Sequence, residues 1–368
     1  MRSAPFDQLA KRVANDVLKG VPVWIWEQLV PKDVIAFTYH IVSDEDLPHQ
    51  RLYAYKNCRQ FESDVIFGRD SAVSYEEVAR HRRGEGRMAP NRMLFTFDDG
   101  LTECFHIIRP ILRKHDVPAI FFVNTTFLDD RETFFETTLS HCLGEIEKLS
   151  DEQASDIVAR LELNRVDPAR KVSNVELGRS RLREARVAIP DSRAHKKLVL
   201  WLLGFEEDGR AEIDRARQLL GGGAPPAPPG RPTCMTTDEV KQLAAEGFAI
   251  GSHGSSHLPL QQLSPASMEE HIVSSCQTVR AMTGQDRVPF AFPYTGMGID
   301  RAILADIIRR NPFIDLLFDT QAFCRDSGFM VQRICADPPP IDGSSGSNLP
   351  FLMRTAWARR SAWYRAGT

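Results

Sequence analysis

Two adjacent aspartates, Asp98 and Asp99, stand at the end of the apolar run MLFTF, residues 93–97. Such a run is typical of a buried β-strand, and two neighbouring carboxylates at its end repel each other. Burying them unpaired would cost several kcal/mol for each charge. We therefore expect a cation at this strand end, and a bound divalent metal ion is the obvious one.

A second polar cluster lies in the segment GSHGSSHLPL, residues 251–260, where His253 and His257 stand four positions apart after another apolar run. This spacing on a helical turn would place both imidazoles on one side of the chain. Two histidines and one carboxylate from the DDG segment would hold a tetrahedral metal ion and leave its fourth position open. That set is typical of a catalytic zinc, although a turn for DDG and surface or core histidines for HxxxH are the ordinary alternatives.

Short apolar runs predict buried strands, and helical patterns lie between many of them. The runs cover residues 34–39, 93–97, 119–123, 248–252, 290–293 and 313–318. Helices are predicted from Thr102 to His115, from the capping-box pair Thr236 and Glu239, and from Ser264–Pro265 to near Gly284. Alternating strands and helices predict a parallel sheet or barrel with its chemistry at the carboxyl ends of the strands.

This alternation stops between residues 128 and 232, where the chain is charged and helix-prone and ends in the linker GGGAPPAPPGRP. We interpret 128–232 as a helical insertion that closes with this Gly/Pro-rich linker. Residues 1–127 and 233–368 are then two parts of one discontinuous α/β barrel domain. Because the insertion follows a strand, we expect it on the side of the barrel that carries the chemistry.

The chain has 368 residues, 42% of them hydrophobic, and a formal net charge of −3, which gives no global electrostatic reason to bind nucleic acid. Its seven cysteines contain no CxxC pair and are odd in number, which favours a reducing compartment over a disulfide framework. The first residues show no apolar run typical of a secretory signal, and no segment approaches the length of a spanning helix. We therefore expect a cytoplasmic protein.

The segments LFTFDDG, IGSHGSSHLPL and FAFPYTG, in this order, resemble the polysaccharide deacetylases of the NodB-homology type, carbohydrate esterase family 4. The similarity extends over roughly residues 33–127 and 233–335. It implies a distorted (β/α) barrel, a divalent metal ion, and hydrolysis of an N-acetyl or N-formyl group on an amino sugar. With the region 128–232, the fold would be such a barrel carrying a large helical insertion.

The resemblance also implies roles for single residues. It makes Asp98 the catalytic base, and it places Pro293 and Tyr294 in a groove-lining loop that helps to form the oxyanion site, Tyr294 being catalytic and Pro293 substrate-binding. Three residues match the metal ligands of the family: Asp99, His253 and His257. Zinc is the default ion for two histidines and one aspartate, and cobalt, nickel or iron fit the same ligands.

Two features of the family pattern are missing. The chain has no histidine after His271, so the usual general acid is absent, and Ala291 and Phe292 stand where an arginine often opens the groove loop. Arg333, inside the strand pattern 329–337, either holds Asp98 in the site or forms a surface salt bridge. Without that histidine, Asp98 itself, once protonated, is expected to pass its proton to the leaving amine.

His40 ends the first predicted strand, and we expect it either to line the pocket and bind substrate or to be a structural histidine. The tail 351–368 contains four arginines and several aromatic residues. Its composition suits either peripheral contact with an anionic membrane surface or a helix that packs on the barrel.

The leading hypothesis is a metal-dependent hydrolase of linear amides that removes an acetyl or formyl group from an amino sugar or a glycan intermediate. We expect its substrate to be small, nucleotide-linked or lipid-linked. The alternative is a non-catalytic glycan-binding protein on a degenerate deacetylase fold, which the missing histidine and arginine favour a little. A cyclic ureide substrate ranks last, because the relatives that act on one lack this ligand set.

Overall fold

The described residues form a closed barrel of seven parallel strands. The computed structural model describes residues 34–52, 54–163, 190–205, 209–223 and 230–364, with side chains as far as Trp357. The strands are β1 (Ile35–Tyr39), β2 (Met93–Phe97), β3 (Ala119–Val123), β4 (Ala249–Ser252), β5 (Phe290–Ala291), β6 (Leu317–Asp319) and β7 (Met330–Cys335). The predicted (β/α) barrel is therefore confirmed.

Each strand pairs with the next one in the sequence, and β7 pairs with β1 to close the barrel. The register places Thr38 of β1 beside both Thr96 of β2 and Cys335 of β7. Because all pairings are parallel, the carboxyl ends of these three strands meet at one rim of the barrel. The residues that follow β1, β2 and β7 are thus brought together although they are far apart in sequence.

The strands are apolar at almost every position because both of their faces are buried. Alternate residues of one strand belong to different clusters, as the two-residue period of a strand requires. Phe37 packs in the main core with the surrounding helices, whereas Ala36 belongs to a smaller cluster with Leu94 and Phe122. The core thus fixes the barrel on both sides of its wall.

Helices follow most of the strands. The described α-helices are α1 (Cys58–Gly68), α2 (Tyr75–Arg82), α3 (Arg109–Lys114), α4 (Phe135–Ile146), α5 (Asp151–Arg160), α6 (Arg193–Leu202), α7 (Arg210–Leu219), α8 (Thr237–Ala245), α9 (Pro265–Thr283), α10 (Arg301–Arg310) and α11 (Leu349–Tyr364). Thr236 caps α8 through a capping box with Glu239, and Ser264 caps α9, which ends at Gly284 with a φ of 72°. These three predicted helix boundaries are confirmed.

Two predicted elements differ from the structure. The predicted helix 102–115 consists of a π-helical segment, Cys104–Ile108, followed by α3, which begins at Arg109–Pro110. A proline has no N–H to donate and disturbs the regular α-helical pattern at that point. The run 313–318 was predicted as one strand, but β6 begins only at Leu317.

Helices α4 to α7 form a helical unit between β3 and β4, with a hydrophobic cluster of its own. Leu139 and Leu143 of α4 pack in this cluster with Ile157 of α5 and Leu198 of α6. Residues 164–189, 206–208 and 224–229, including much of the predicted linker, lie outside the described residues. We propose that 128–232 is an insertion into a discontinuous barrel domain.

Helix α11 packs on the barrel through its first two turns. Leu349 and Ala356 are buried in the main core, and Trp357 packs against it. The side chains of residues 358–368 lie outside the described part of the chain, so the predicted membrane contact stays a prediction. Among the helices that the structure describes, none has both the length and the apolar character needed to cross a membrane.

Candidate metal and catalytic site

The two adjacent aspartates sit where β2 turns at the carboxyl rim of the barrel. The backbone N–H of Asp98 donates to the carbonyl of Tyr39 at 2.9 Å, so Asp98 continues the pairing of β2 with β1. The chain then turns through Asp99 and Gly100, whose φ angles are 70° and 74°. Aspartate tolerates this left-handed conformation better than most residues. The turn gives the two neighbouring carboxylates different surroundings.

The loop after β4 carries both histidines. His253 still pairs with β3, because its N–H donates to the carbonyl of Val123 at 2.9 Å. Gly254 and His257 follow with φ angles of 83° and 56°, so the predicted helical turn is wrong. A Cβ at position 254 would lie 2.6 Å from Nε2 of His271, which explains glycine at this position. The loop nevertheless places the two imidazoles side by side, with ring centroids 5.0 Å apart.

Three buried side chains converge on one point. Nε2 of His253 and Nε2 of His257 each lie 3.5 Å from Oδ1 of Asp99. The three ligand atoms all lie within 4.8 Å of one another. Two imidazole nitrogens and one carboxylate oxygen at this mutual spacing can bind the same ion with small adjustments, and three protein ligands leave a position for water or substrate. Among the described residues this is the group of His, Cys, Asp and Glu side chains that fits a metal ion.

The second nitrogen of each imidazole faces an acceptor. Nδ1 of His253 lies 2.9 Å from the carbonyl oxygen of Ala291, and Nδ1 of His257 lies 3.0 Å from Oε1 of Glu136. The hydrogen bond of His253 places the proton on its Nδ1 and leaves the lone pair of Nε2 facing Asp99, whereas the Glu136 carboxylate faces Nδ1 of His257 at ion-pair distance. Metal-binding histidines almost always show this second contact. The residues therefore fit a divalent ion in their ring orientation as well as in their chemistry.

The pKa values of Asp99 and His253 are consistent with a cation-binding site. Burial, together with Glu136 and Asp98, raises the pKa of Asp99 to about 6, although His40 and His257 oppose the shift. Burial lowers the pKa of His253 to about 3, so that imidazole is neutral at pH 7 and can act as a ligand. A bound divalent ion would supply the positive charge that the buried Asp99 carboxylate needs.

Asp98 has a different partner. Its two carboxylate oxygens accept hydrogen bonds from Nη1 and Nη2 of Arg333 at 2.6 and 2.8 Å. Burial alone would raise the pKa of Asp98, but the Arg333 guanidinium, helped by His253 and His40, holds that pKa well below its usual range. Arg333 is fully buried, and Phe122 and Phe318 flank its guanidinium. Of the two roles left open for Arg333, the structure shows the one that holds Asp98, and a surface salt bridge is excluded.

His40 and Asp337 form a pair at the ends of β1 and β7. Nδ1 of His40 lies 2.6 Å from Oδ2 of Asp337, and its backbone N–H donates to Oδ1 at 2.8 Å. Burial alone would lower the pKa of His40, but Asp337, with Asp99 and Asp98, raises it to about 10. The imidazole is therefore protonated at neutral pH, and 23% of its side chain remains accessible to solvent.

The loop after β5 borders the candidate metal site through Tyr294. The Tyr294 ring lies 4.6 Å from the His257 ring, and its hydroxyl donates to Oε1 of Glu136 at 2.9 Å. Its φ of 57° is uncommon for an aromatic residue and is typical of a constrained functional loop. Pro293 is buried between β5 and Tyr294, where it fixes the direction in which the loop leaves the strand.

The model of the polysaccharide deacetylase family matches residues 85–160 and 209–307 of this chain. The first segment contains Asp98 and Asp99, and the second contains His253 and His257. The match covers just under half of the chain and includes the segments that carry the sequence motifs. The resemblance predicted from the three motifs is confirmed, and the match supports a carbohydrate deacetylase, a hydrolase, as the enzyme class.

Solved structures of several deacetylases are similar to this chain. The deacetylase PplD of Streptococcus pyogenes, in complex with acetate, is 15% identical, with a TM-score of 0.48 over 83% of this chain and 92% of its own. IcaB of Ammonifex degensii is 13% identical, with a TM-score of 0.48 over 91% and 97%. A de-N-acetylase of Aggregatibacter actinomycetemcomitans is 14% identical, with a TM-score of 0.46 over 84% and 97%. A search among curated proteins gives no match.

The family match leaves His40, Arg333 and Asp337 outside its two segments. Sequence reasoning missed Glu136 and Asp337, which contact His257 and His40. Asp337 had a detectable signal, since it follows β7 as Asp98 follows β2. Glu136 had none, because it lies in the charged helical region far from any strand end. His40 was predicted either to line the pocket or to be a structural histidine, and the structure places it at the rim with both aspartates among the charges that raise its pKa.

Proposed function

We propose that this deacetylase is metal-dependent and removes an N-acyl group, acetyl or formyl, from an amino sugar or a glycan intermediate. The observation that carries the proposal is a buried cluster of Asp99, His253 and His257 beside a second carboxylate, Asp98, that an arginine holds separately. One set of residues fits an ion, and the other is kept available for proton transfer.

Asp99, His253 and His257 would hold the ion, and zinc is the first choice for this ligand set. A divalent ion bound there supplies two things that amide hydrolysis lacks at neutral pH, a water molecule of lowered pKa and a polarised carbonyl. The chain contributes ligands that are shielded from bulk solvent, since all three side chains are buried.

Asp98 is assigned as the general base. Arg333 keeps it ionised and fixes the direction of both oxygens, so it can accept a proton from the attacking water without first losing one. General bases work best when their pKa lies near the working pH. The low pKa of Asp98 means that an accepted proton is held only briefly and must pass on to the leaving amine or to another group.

His40 is assigned as the proton donor to the leaving amine, in place of Asp98 alone. Its imidazole is charged at neutral pH because Asp337 stabilises the protonated form, and it stands at the same rim as Asp98. A cationic imidazole at this place also favours the negative charge that develops on the amide oxygen. Asp337 orients the ring and maintains its charge.

Tyr294 and Pro293 are assigned to the wall of the substrate site. The Tyr294 ring lies against His257, so a sugar whose amide carbonyl reaches the ion would contact this loop. Pro293 shapes the start of the loop. Tyr294 acts from its constrained backbone position as part of the oxyanion site, as the family motif implies.

A non-catalytic glycan-binding role is the weaker candidate. Simple binding gives no physical reason to bury a carboxylate, two imidazoles and an arginine–aspartate pair side by side at such a desolvation cost. The absence of the family's usual histidine and arginine is a weaker argument for this role than the sequence suggests. Arg333 supplies a cation beside Asp98, and the His40–Asp337 pair supplies a proton donor.

Release of acetate or formate from N-acylated glucosamine substrates tests the proposal. The protein is treated with a chelator, dialysed, and assayed before and after addition of zinc, cobalt or nickel. We expect release only after a metal ion is restored, and none from a His253→Ala variant treated in the same way. Equal release of acetate or formate with and without the chelator would reject metal dependence. Specific glycan binding without any acyl release, whichever metal is added, would favour the non-catalytic glycan-binding role.

A further inference from the structure

Glu136 is a buried carboxylate of the helical unit that lies beside the candidate metal site. It lies in the first turn of α4, and only 6% of the residue is exposed. Oε1 of Glu136 lies 3.0 Å from Nδ1 of His257 and accepts a hydrogen bond of 2.9 Å from the Tyr294 hydroxyl. One oxygen thus joins three segments of the chain: α4, the loop after β4, and the loop after β5.

The two imidazoles are anchored by different parts of the protein. Nδ1 of His253 faces the backbone carbonyl of Ala291, which belongs to β5 of the barrel itself. Nδ1 of His257 faces a charged side chain from outside the barrel. A carboxylate is the stronger acceptor, and it increases the electron density that Nε2 of the same ring offers to a metal ion. The place of Glu136 near the N-terminus of α4 also suits its negative charge.

We propose that Glu136 is a positioning residue that fixes the tautomer and orientation of His257, so that the helical unit sets the affinity of the site for its metal ion. This inference rests on the proposed metal-dependent function. The helical unit is then a part of the active site, in addition to any role in shaping access to it. Because the same carboxylate oxygen holds Tyr294, the metal ligand and the substrate loop are coupled through one atom.

Metal affinity separates this role from general stabilisation of the fold. Zinc dissociation constants are measured by competition with a chromophoric chelator for the wild-type protein and for Glu136→Gln, an isosteric change that removes the charge. Loss of an outer partner of a metal-bound histidine weakens binding by about 10–100-fold, and we expect a change in that range. Glu147→Gln, at the other end of α4 and paired with Arg51 at 3.0 Å, is the matched control and should change the constant by less than about twofold.

Tyr294→Phe separates the two contacts of Glu136. It removes the hydroxyl and leaves the carboxylate facing His257. We expect its zinc dissociation constant to stay within about twofold of the wild-type value, while KM for substrate rises because the loop is no longer held. Equal losses of zinc affinity in Tyr294→Phe and Glu136→Gln would show that the loop, and not the tautomer of His257, controls the site.

If Glu136→Gln does not fold, the tautomer of His257 can still be measured in the wild-type protein. In ¹⁵N–¹H spectra of zinc-loaded protein, the His257 signal, assigned by its loss in His257→Gln, should show a proton on Nδ1 and none on Nε2. The opposite tautomer, or wild-type zinc affinity in a folded Glu136→Gln protein, would overturn the inference and leave the proposed function intact. A wild-type protein that binds no divalent ion would instead reject the proposed function.

Discussion

Asp98 and Asp99 are chemically identical neighbours, and the groups around them give them different properties. Asp98 faces the Arg333 guanidinium, which keeps its pKa well below the usual range against the effect of burial. Asp99 lies against two imidazoles, and burial raises its pKa to about 6. The left-handed turn through Asp99 creates this difference, because it directs the second carboxylate away from the arginine and toward the loop after β4.

Replacement of Asp98 by asparagine should abolish turnover and leave the metal ion bound. The side chain keeps its shape but can no longer accept a proton, and general base catalysis contributes about 10²–10⁴-fold to such reactions. We expect kcat to fall by that factor while the zinc content remains near one ion per chain. Acyl release and elemental analysis of the same preparation provide both values.

His253→Ala is the control for this experiment, since it removes a ligand and should lose both the ion and the activity. If Asp98→Asn loses metal as completely as His253→Ala does, the division of roles between the two aspartates is wrong. Thermal unfolding of the metal-free variants shows whether either change acts through the fold.

Replacement of Asp337 by asparagine should shift the alkaline limb of the pH–rate profile to lower pH. His40 must be protonated to donate, so activity falls as the pH rises through its pKa, which Asp337 raises to about 10. Loss of a close carboxylate lowers such a pKa by about one unit or more. The profile of kcat/KM, which reports the free enzyme, should move by that amount.

Asp326→Asn is a suitable comparison, because this carboxylate pairs with Arg301 at 2.9 Å and takes no part in the His40–Asp337 pair. An unchanged alkaline limb in Asp337→Asn, or an equal shift in both variants, would remove His40 from the role of proton donor. His40→Gln should in turn lose the alkaline limb together with most of the rate.

At the scale of elements, the sequence predicted the parts of the barrel whose signals are local. The apolar runs at 93–97 and 119–123 are strands with those bounds, and the caps of α8 and α9 are where their side chains predict them. The candidate ligands His253, His257 and one carboxylate of the DDG segment followed from strand ends for the same reason, whereas the choice of Asp99 came from the family resemblance. A carboxyl-terminal strand end in a parallel barrel always reaches the same rim.

The remaining features depend on contacts between distant segments. Glu136 meets His257 only because α4 packs against the rim, and the closure of β7 on β1 places Asp337 beside His40. No periodicity or residue spacing in the sequence predicts either contact. The loop from His253 to His257 looked like a helical turn because four-residue spacing is helical, but the left-handed Gly254 breaks that pattern.

Strand β4 must pack closely for His253 to reach Asp99 and His257. A Cβ added to Gly251 would lie 2.3 Å from the Phe122 ring and 2.9 Å from the carbonyl oxygen of Pro289. We expect Gly251→Ala to lower the free energy of unfolding by about 1–3 kcal/mol, as overpacking does, and to weaken metal binding because β4 shifts. Denaturant unfolding and chelator competition measure the two effects.

Gly328→Ala is the matched control, since an added Cβ there meets no atom within 4 Å. It should change neither the stability nor the metal affinity to a measurable extent. A Gly251→Ala protein as stable as the wild type would mean that β4 has room to move, and that the close contact with Phe122 does not position His253.

At the scale of the whole molecule, we propose a cytoplasmic enzyme that acts on a small, nucleotide-linked or lipid-linked amino sugar. All seven cysteines lie among the described residues, and none of them forms a disulfide bond there, which suits a reducing compartment. The helical unit reaches the candidate metal site through Glu136. We expect it to narrow the substrate groove, which would otherwise be open enough for a long glycan. The arginines of the tail 351–368 would add about 1 kcal/mol each near an anionic membrane surface.

Cell fractionation and substrate comparison test this proposal together. We expect the protein in the cytoplasmic or inner-membrane fraction, and we expect faster deacylation of nucleotide-linked or lipid-linked amino sugars than of a soluble chitin oligomer. Substitution of Arg354 and the arginines that follow it by glutamine should release any membrane-bound fraction. Secretion of the protein, or a clear preference for the long oligomer, would contradict the proposal and leave the hydrolase assignment standing.

The most direct test of the metal site is an anomalous difference map at the zinc absorption edge, from crystals grown with zinc. We expect one strong peak per chain, about 2.0–2.2 Å from Nε2 of His253, Nε2 of His257 and a carboxylate oxygen of Asp99, with Asp98 still paired to Arg333. An empty cluster, or an ion held by Asp98 in place of Asp99, would contradict it.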